Sequence, residues 1–238
     1  MIYFLKHGLS NRLRVLLALV FISIKTGRHF TVYWYPDSQC NGTYDELFHD
    51  IPDVYGSVKI ICEPFDDKKK YDFVGQDTLE NILKREDPTL LFYGLKNIKK
   101  YVYGLLRPRQ HLINQATGFI KTHPEIKTAI HVRRTDHSCI SDTRSDFIND
   151  EKVEEMIKSG VYFLLTDNKA TQDKFRRPNI FVFKRIEESP DLRQTPLQQA
   201  LIEALIASNY KLIGSAYSSF SELVRMLAVC DTLSLYKN

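Results

Sequence analysis

Over its second half the chain alternates short apolar, β-branched runs with stretches of helical spacing, and this pattern constrains the fold more than any other feature. Residues 127–132, 161–165, 180–183 and 211–213 read as strands, and 150–158, 169–176, 195–208 and 219–229 read as helices. Thr195-Pro196-Leu197-Gln198 and Ser219-Phe220-Ser221-Glu222 have the form of capping boxes, the former with proline at the first helical position. Parallel neighbours need a long crossover, which a helix supplies. The order predicts a parallel sheet with helices on both faces.

The first half opens the same way. Residues 2–5 form an apolar run, 13–26 a helix stopped by Gly27, and 30–35 a strand ended by Pro36-Asp37. That is a βαβ unit of about thirty residues. Further along, 44–48 predicts a short helix, 57–61 a strand, 66–70 a charged loop, 76–85 a helix and 90–93 a strand. Helical spacing over 98–119 breaks at Pro108. A break at 121–124 sets the expected boundary, giving halves 1–122 and 123–238. Residues 15–24 carry no charge, but a membrane span needs about twenty such residues. No small-residue cleavage site follows, so a buried helix is expected rather than a span or a signal peptide. On this reading the protein is soluble and cytoplasmic.

A net charge of +4 favours an anionic ligand slightly and is too small to imply nucleic acid. The four cysteines, Cys40, Cys62, Cys139 and Cys230, are scattered without a CxxC pair or zinc-type spacing. They are expected to be free, buried thiols in a reducing compartment.

Four polar loops leave predicted strands: residues 7–12, 131–136, 166–168 and 214–219. Ligands of open α/β sheets bind beyond the carboxyl ends of the strands. Ile130-His131-Val132-Arg133-Arg134-Thr135-Asp136 puts two arginines there, and a guanidinium fork grips two phosphate oxygens at once. Ser218 and Ser219 precede a helix whose positive end attracts anions. Asp167 and Asn168 suit the donors of a base or ribose, although such a pair is also an ordinary helix cap. Gly8 permits close backbone approach beside Asn11 and Arg12. The last three loops converge on one sheet edge. The first meets them only if the halves face each other.

Together, IHVRRTD, GLSNRLRVLLAL, FLLTDN and SAYSSFSELV resemble the fucosyltransferase superfamily of the α1,6, α1,2 and protein O-linked branches, in particular its short bacterial and viral-type members. Trp34-Tyr35-Pro36-Asp37-Ser38-Gln39-Cys40 matches a further tryptophan-proline-aspartate-cysteine pattern of those members. The resemblance implies a GT-B architecture: two Rossmann-like halves with parallel sheets facing a cleft, the C-terminal half holding the donor and the N-terminal half the acceptor. It implies transfer of fucose from GDP-fucose to a glycan or other hydroxyl acceptor, with inversion and with neither metal nor cofactor. Arg133 would hold the β-phosphate and stabilise departing GDP, with Arg134 beside it. His131, Asp167 and Asn168 would meet guanine or ribose, Ser218 and Ser219 phosphate, and Gly8, Asn11 and Arg12 would close over the diphosphate. In the α1,6 branch a glutamate stands ten residues after the motif histidine; here that position is Ser141. Asp142, Asp136 and Asp37 are the candidate bases.

Three rivals remain. The same fold would serve another GDP-sugar, such as GDP-rhamnose. Lys6-His7-Gly8 resembles the histidine-phosphatase start, with lysine in place of the phosphate-cradling arginine. The pairs Arg107/Arg109, Arg133/Arg134 and Arg176/Arg177 would suit a non-enzymatic RNA- or glycan-binding module, without an RNP-like motif.

Overall fold

The computed structural model describes residues 1–51, 57–63, 73–74, 78–134, 148–187, 195–215 and 218–234. The chain divides into two units, Met1–Arg109 and Gln110–Asn238. The expected boundary at 122/123 falls later, at the far end of a helix. The reason is local. Residues 107–109 return to the first unit by backbone bonds, His49 N–H to the Arg107 carbonyl (2.8 Å) and Arg109 N–H to the Leu47 carbonyl (2.9 Å). The helix that follows packs within the second unit.

The first unit contains β1 (Ile2–Leu5), α1 (Leu9–Thr26), β2 (Phe30–Tyr33), α2 (Tyr44–Leu47), β3 (Val58–Ile61), β4 (Phe73–Val74), α3 (Leu79–Glu86) and α4 (Leu95–Tyr103). Its four strands are parallel, in the order β3-β2-β1-β4. The uncharged run 15–24 lies in α1, where Leu13 and Val15 to Leu19 are wholly buried. Gly27 ends the helix in the left-handed region (φ 71°), its N–H bonded to the Ser23 carbonyl at 2.8 Å. The apolar run 90–93, expected as a strand, is instead part of a 3-10 helix, Pro88–Tyr93, capped by the Asp87 carboxylate on Thr89 N–H. Proline at its first turn favours that outcome over pairing. The short strand β4 carries too little pattern to read from sequence. The charged loop 66–70 lies outside the described residues.

The second unit contains α5 (Gln110–Thr122), β5 (Thr128–Val132), α6 (Asp150–Met156), β6 (Tyr162–Thr166), α7 (Lys169–Lys174), β7 (Ile180–Phe181), α8 (Leu197–Ala207), β8 (Lys211–Ile213) and α9 (Ser219–Val229). Its parallel order, β7-β6-β5-β8, repeats the permutation of the first. Strand alternation sends Ile130, Val132 and Leu164 into a core with Val153 of α6 and Phe175 just after α7. Phe163, one register away, meets Phe119 of α5 with ring centroids 5.3 Å apart. Helices therefore cover both faces. Neither expected capping box forms as read. Pro196 stands at the N-cap of α8 and offers no side-chain bond, and α9 is capped one residue earlier, by the Ser218 hydroxyl on Ser221 N–H (3.4 Å). Among the described residues Cys40, Cys62 and Cys230 are in no disulfide, but only Cys40 is fully buried. Cys139 lies outside the described residues.

One buried acid stands out in α8. Glu203 is 3% exposed and accepts a hydrogen bond from Gln199 Nε2 at 2.8 Å. Burial pushes its carboxyl up to about 8, against which the Gln199 bond pulls down. At neutral pH the folded chain holds this group protonated, whereas the unfolded chain ionises it near 4.5. Its contribution is complete below pH 4.5 and is lost as pH rises toward 8, at about 1.4 kcal/mol per pH unit. Glu203→Gln is expected to flatten that decline. Urea unfolding at pH 5 and pH 8 measures it; wild-type and variant stabilities that fall in parallel would refute a buried neutral carboxyl.

Candidate active site

In the second sheet the chain moves from β5 outward to β6 and β7, then returns to β8 on the other side of β5. The order reverses between β5 and β8, and open α/β sheets bind ligands beyond the carboxyl ends of the strands at such a reversal. The loop after β5 carries Arg133 and Arg134. The loop after β8 begins at Gly214 and leads to Ser218 and α9.

Asp167, just past β6, joins the two arginines. Its Oδ1 accepts the Arg134 backbone N–H at 3.1 Å, and its Oδ2 lies 3.9 Å from Arg133 Nε. The Arg133 and Asp167 side chains are 13% and 15% exposed, so a mostly buried carboxylate steers a mostly buried fork. Arg134 is engaged on the other side. Its Nη2 donates to Asp150 Oδ1 (2.7 Å) and to the Ile148 carbonyl (3.0 Å), while Lys174 Nζ meets Asp150 Oδ2 at 2.5 Å. Burial pushes the Asp150 carboxyl up, but the bonds from Lys174 and Arg134 outweigh it and hold the group below its ordinary value. The adjacent arginines thus play different parts, and Arg134 secures the strand-end loop to the start of α6.

His131 is 7% exposed and points to α9, with Nδ1 2.9 Å from Ser221 Oγ and its ring 5.0 Å from that of Phe220. Gly214 makes the approach possible. A Cβ there would lie 2.7 Å from Ser221 Oγ and 3.3 Å from His131 Cβ. Arg225 of α9 donates to the Gly214 carbonyl at 2.8 Å. Ser218 and Ser219, both buried, sit at the first turn of α9, whose leading amides lack intrahelical partners. Asn168 caps α7, its Oδ1 accepting Thr171 N–H (2.9 Å) and Thr171 Oγ1 (3.1 Å). Thr195 Oγ1 reaches the Thr166 carbonyl at 3.4 Å. Sequence reasoning gave no role in the site to Asp150, Ser221 or Arg225, whose partners lie 16, 90 and 11 residues away; only Gly214 carried a local cue, as a glycine directly after a strand.

In the first unit, Arg12 is wholly buried. Its Nε donates to the His7 carbonyl (2.8 Å), Nη1 to the Tyr35 carbonyl, and Nη2 to Asp37 Oδ2 (2.6 Å). The guanidinium also lies 5.6 Å from the centroid of the Trp34 ring. Asp37 Oδ1 accepts the N–H groups of Gln39 (2.8 Å) and Cys40 (2.9 Å). The Gly-x-x-Asn-Arg start and the tryptophan-proline-aspartate-cysteine pattern are therefore two sides of one network. Gly8 stands at the N-cap of α1, its carbonyl accepting Asn11 N–H at 3.0 Å. His7 adopts φ 66°, and its Nδ1 lies 3.0 Å from Gln39 Oε1. Asp136 and Asp142 lie outside the described residues. Among the described residues no group of three His, Cys, Asp or Glu is placed to hold a metal, and no helix is long and apolar enough to cross a membrane.

No family model matches the chain, nor does any curated protein. Solved structures do. The chain is similar to an α-1,6-fucosyltransferase, NodZ, soaked with GDP-fucose, at TM-score 0.57 and 14% identity, over 95% of this chain and 92% of that one. The fucosyltransferase NodZ from Bradyrhizobium matches at 0.58 and 15%, over 94% and 92%. POFUT1 in complex with GDP matches at 0.55 and 13%, over 94% and 93%. Nothing in these matches favours the phosphatase or RNA-binding readings. The chain carries the α/β, GT-B fold of the fucosyltransferases, built on two parallel sheets of the same strand order.

Proposed function

We propose that this protein is a glycosyltransferase that moves fucose from GDP-fucose to a hydroxyl of a glycan or other acceptor, with inversion and without a bound metal. The C-terminal unit takes the donor and the N-terminal unit the acceptor. One observation carries the reading: Arg133, steered by Asp167, stands where the strand order reverses, on the same sheet edge as the first turn of α9. GDP and GDP-fucose are named with the neighbouring structures of this fold, which supports a guanosine-diphosphate donor.

In an inverting displacement the acceptor oxygen bonds to the anomeric carbon as the bond to GDP breaks. The electron pair leaves on the β-phosphate. The Arg133 guanidinium neutralises that charge, and the amides of α9 with Ser218 and Ser219 hold the phosphates. Asp167 orients Arg133. His131, Asn168 and Arg134 shape the donor site through the bonds described above, and Arg12 fixes the start of α1, which carries Gly8 and Asn11. A base must take the acceptor proton. Both oxygens of Asp37 are already engaged, which favours Asp142 or Asp136.

Saturating GDP, at a hundredfold excess over its dissociation constant, is expected to raise the unfolding temperature by roughly 5–10 °C, corresponding to about 2.7 kcal/mol. UDP and ADP at equal concentration should do far less. A donor-hydrolysis screen over GDP-sugars then names the sugar. Stabilisation by UDP rather than GDP would refute the donor class. Hydrolysis of GDP-rhamnose alone would refute only fucose.

A further inference from the structure

The first sheet has a reversal of its own. Its chain runs from β1 outward to β2 and β3, then returns to β4 on the other side of β1. The reversal between β1 and β4 is the counterpart of the β5/β8 reversal beside Arg133. His7 stands there, just past the end of β1. Its backbone lies in the left-handed region (φ 66°), which among the described residues only Asp231 shares without being glycine. A residue with a Cβ adopts that region against its local preference, and such positions gather at functional sites. Arg12, wholly buried, holds it there by donating Nε to the His7 carbonyl at 2.8 Å.

The ring is oriented as well. His7 Nδ1 lies 3.0 Å from Gln39 Oε1, and Gln39 is tied down through its own N–H, which donates to Asp37 Oδ1 at 2.8 Å. With Nδ1–H donated to Gln39, the neutral imidazole carries its lone pair on Nε2. Among the described residues Nε2 meets no partner, and it is not sealed in the interior, since His7 is only half-buried. A ring fixed at one nitrogen and open at the other is the arrangement that general-base catalysis needs. Asp37, close by in the same unit, has both oxygens engaged, and Asp136 and Asp142 follow Arg133 in the donor unit. We infer that His7 is the base that takes the proton from the acceptor hydroxyl, ahead of Asp136 and Asp142. The inference rests on the transferase reading above. The hydroxyl proton passes to Nε2 as the acceptor oxygen bonds to the anomeric carbon, and the electron pair of the breaking bond leaves on the β-phosphate of GDP. The imidazolium then releases its proton to water.

Water is the simplest acceptor, so the test needs no known glycan. It is single-turnover hydrolysis, by the full chain, of GDP-fucose or of the GDP-sugar that the donor screen selects. His7→Gly is expected to lower the rate about a hundredfold or more, and free imidazole in the buffer to restore part of it. Glycine adopts this φ freely and keeps the carbonyl that Arg12 holds. The unfolding midpoint of the variant, and its rise with GDP, should therefore match the wild type. Full hydrolysis by His7→Gly, or a loss that imidazole does not restore, would overturn the inference and leave the transferase reading standing. A wild-type chain that GDP stabilises but that turns over no GDP-sugar would overturn both.

Discussion

Arg133→Ala is expected to lower kcat for transfer by about a hundred- to a thousandfold, the loss of roughly 3–4 kcal/mol that follows removal of one donor to a developing oxyanion. The charge on the β-phosphate peaks as the sugar departs, so the loss falls mainly on kcat rather than on KM. GDP affinity should fall as well, because the product carries the same phosphate. Arg133→Lys should restore only part of the rate, since an ammonium cannot replace a two-pronged fork. Asp167→Asn tests the steering role: it keeps an acceptor for Arg134 N–H but removes the charge 3.9 Å from Arg133 Nε. Single-turnover rates and GDP titration separate the two effects. Full turnover by Arg133→Ala with an unchanged unfolding midpoint would refute the site.

Arg12→Ala is expected to cost about 3 kcal/mol of stability, near the low end for breaking a buried ion pair because Asp37 is 37% exposed and rehydrates in part. The carbonyls of His7 and Tyr35 lose their donors in the same step, and Trp34 loses the cation beside its ring. The unfolding midpoint should drop by roughly 6–12 °C for a chain of this size. Arg12→Lys keeps the charge and should recover less than half, as one ammonium cannot serve three diverging acceptors. Calorimetry of the three proteins decides. A variant as stable as the wild type would show that the loops hold without this guanidinium.

Much of the fold was legible in the sequence. Strands 2–5 and 211–213 match β1 and β8, and helix 219–229 matches α9, because period-two and 3.6-residue patterns are local and each element is long enough to show one. Residues 90–93 misled because an apolar run of four fits a strand as well as a turn of helix; the preceding Pro88 and the Asp87 cap decided it. Both capping boxes misled for a related reason. A hydroxyl three residues before an acid or amide is a frequent spacing, and which hydroxyl caps depends on where the chain leaves the sheet.

The site divides the same way. Chemical type was readable along the chain: a strand ending in two arginines, a serine pair before a helix, and a glycine before an arginine that starts another. Only the tertiary structure separated Arg133 from Arg134, because their fates depend on Asp167 and Asp150, on elements brought alongside by folding. Likewise it turned Asn168 into a cap, His131 toward Ser221, and Arg12 inward onto a strand end more than twenty residues away. Periodicity and residue type are properties of neighbours in sequence, so the chain itself determined the elements and the chemistry available at their ends. The direction and partners of a side chain depend on groups remote in sequence, and those were decided only when the two parallel sheets had formed.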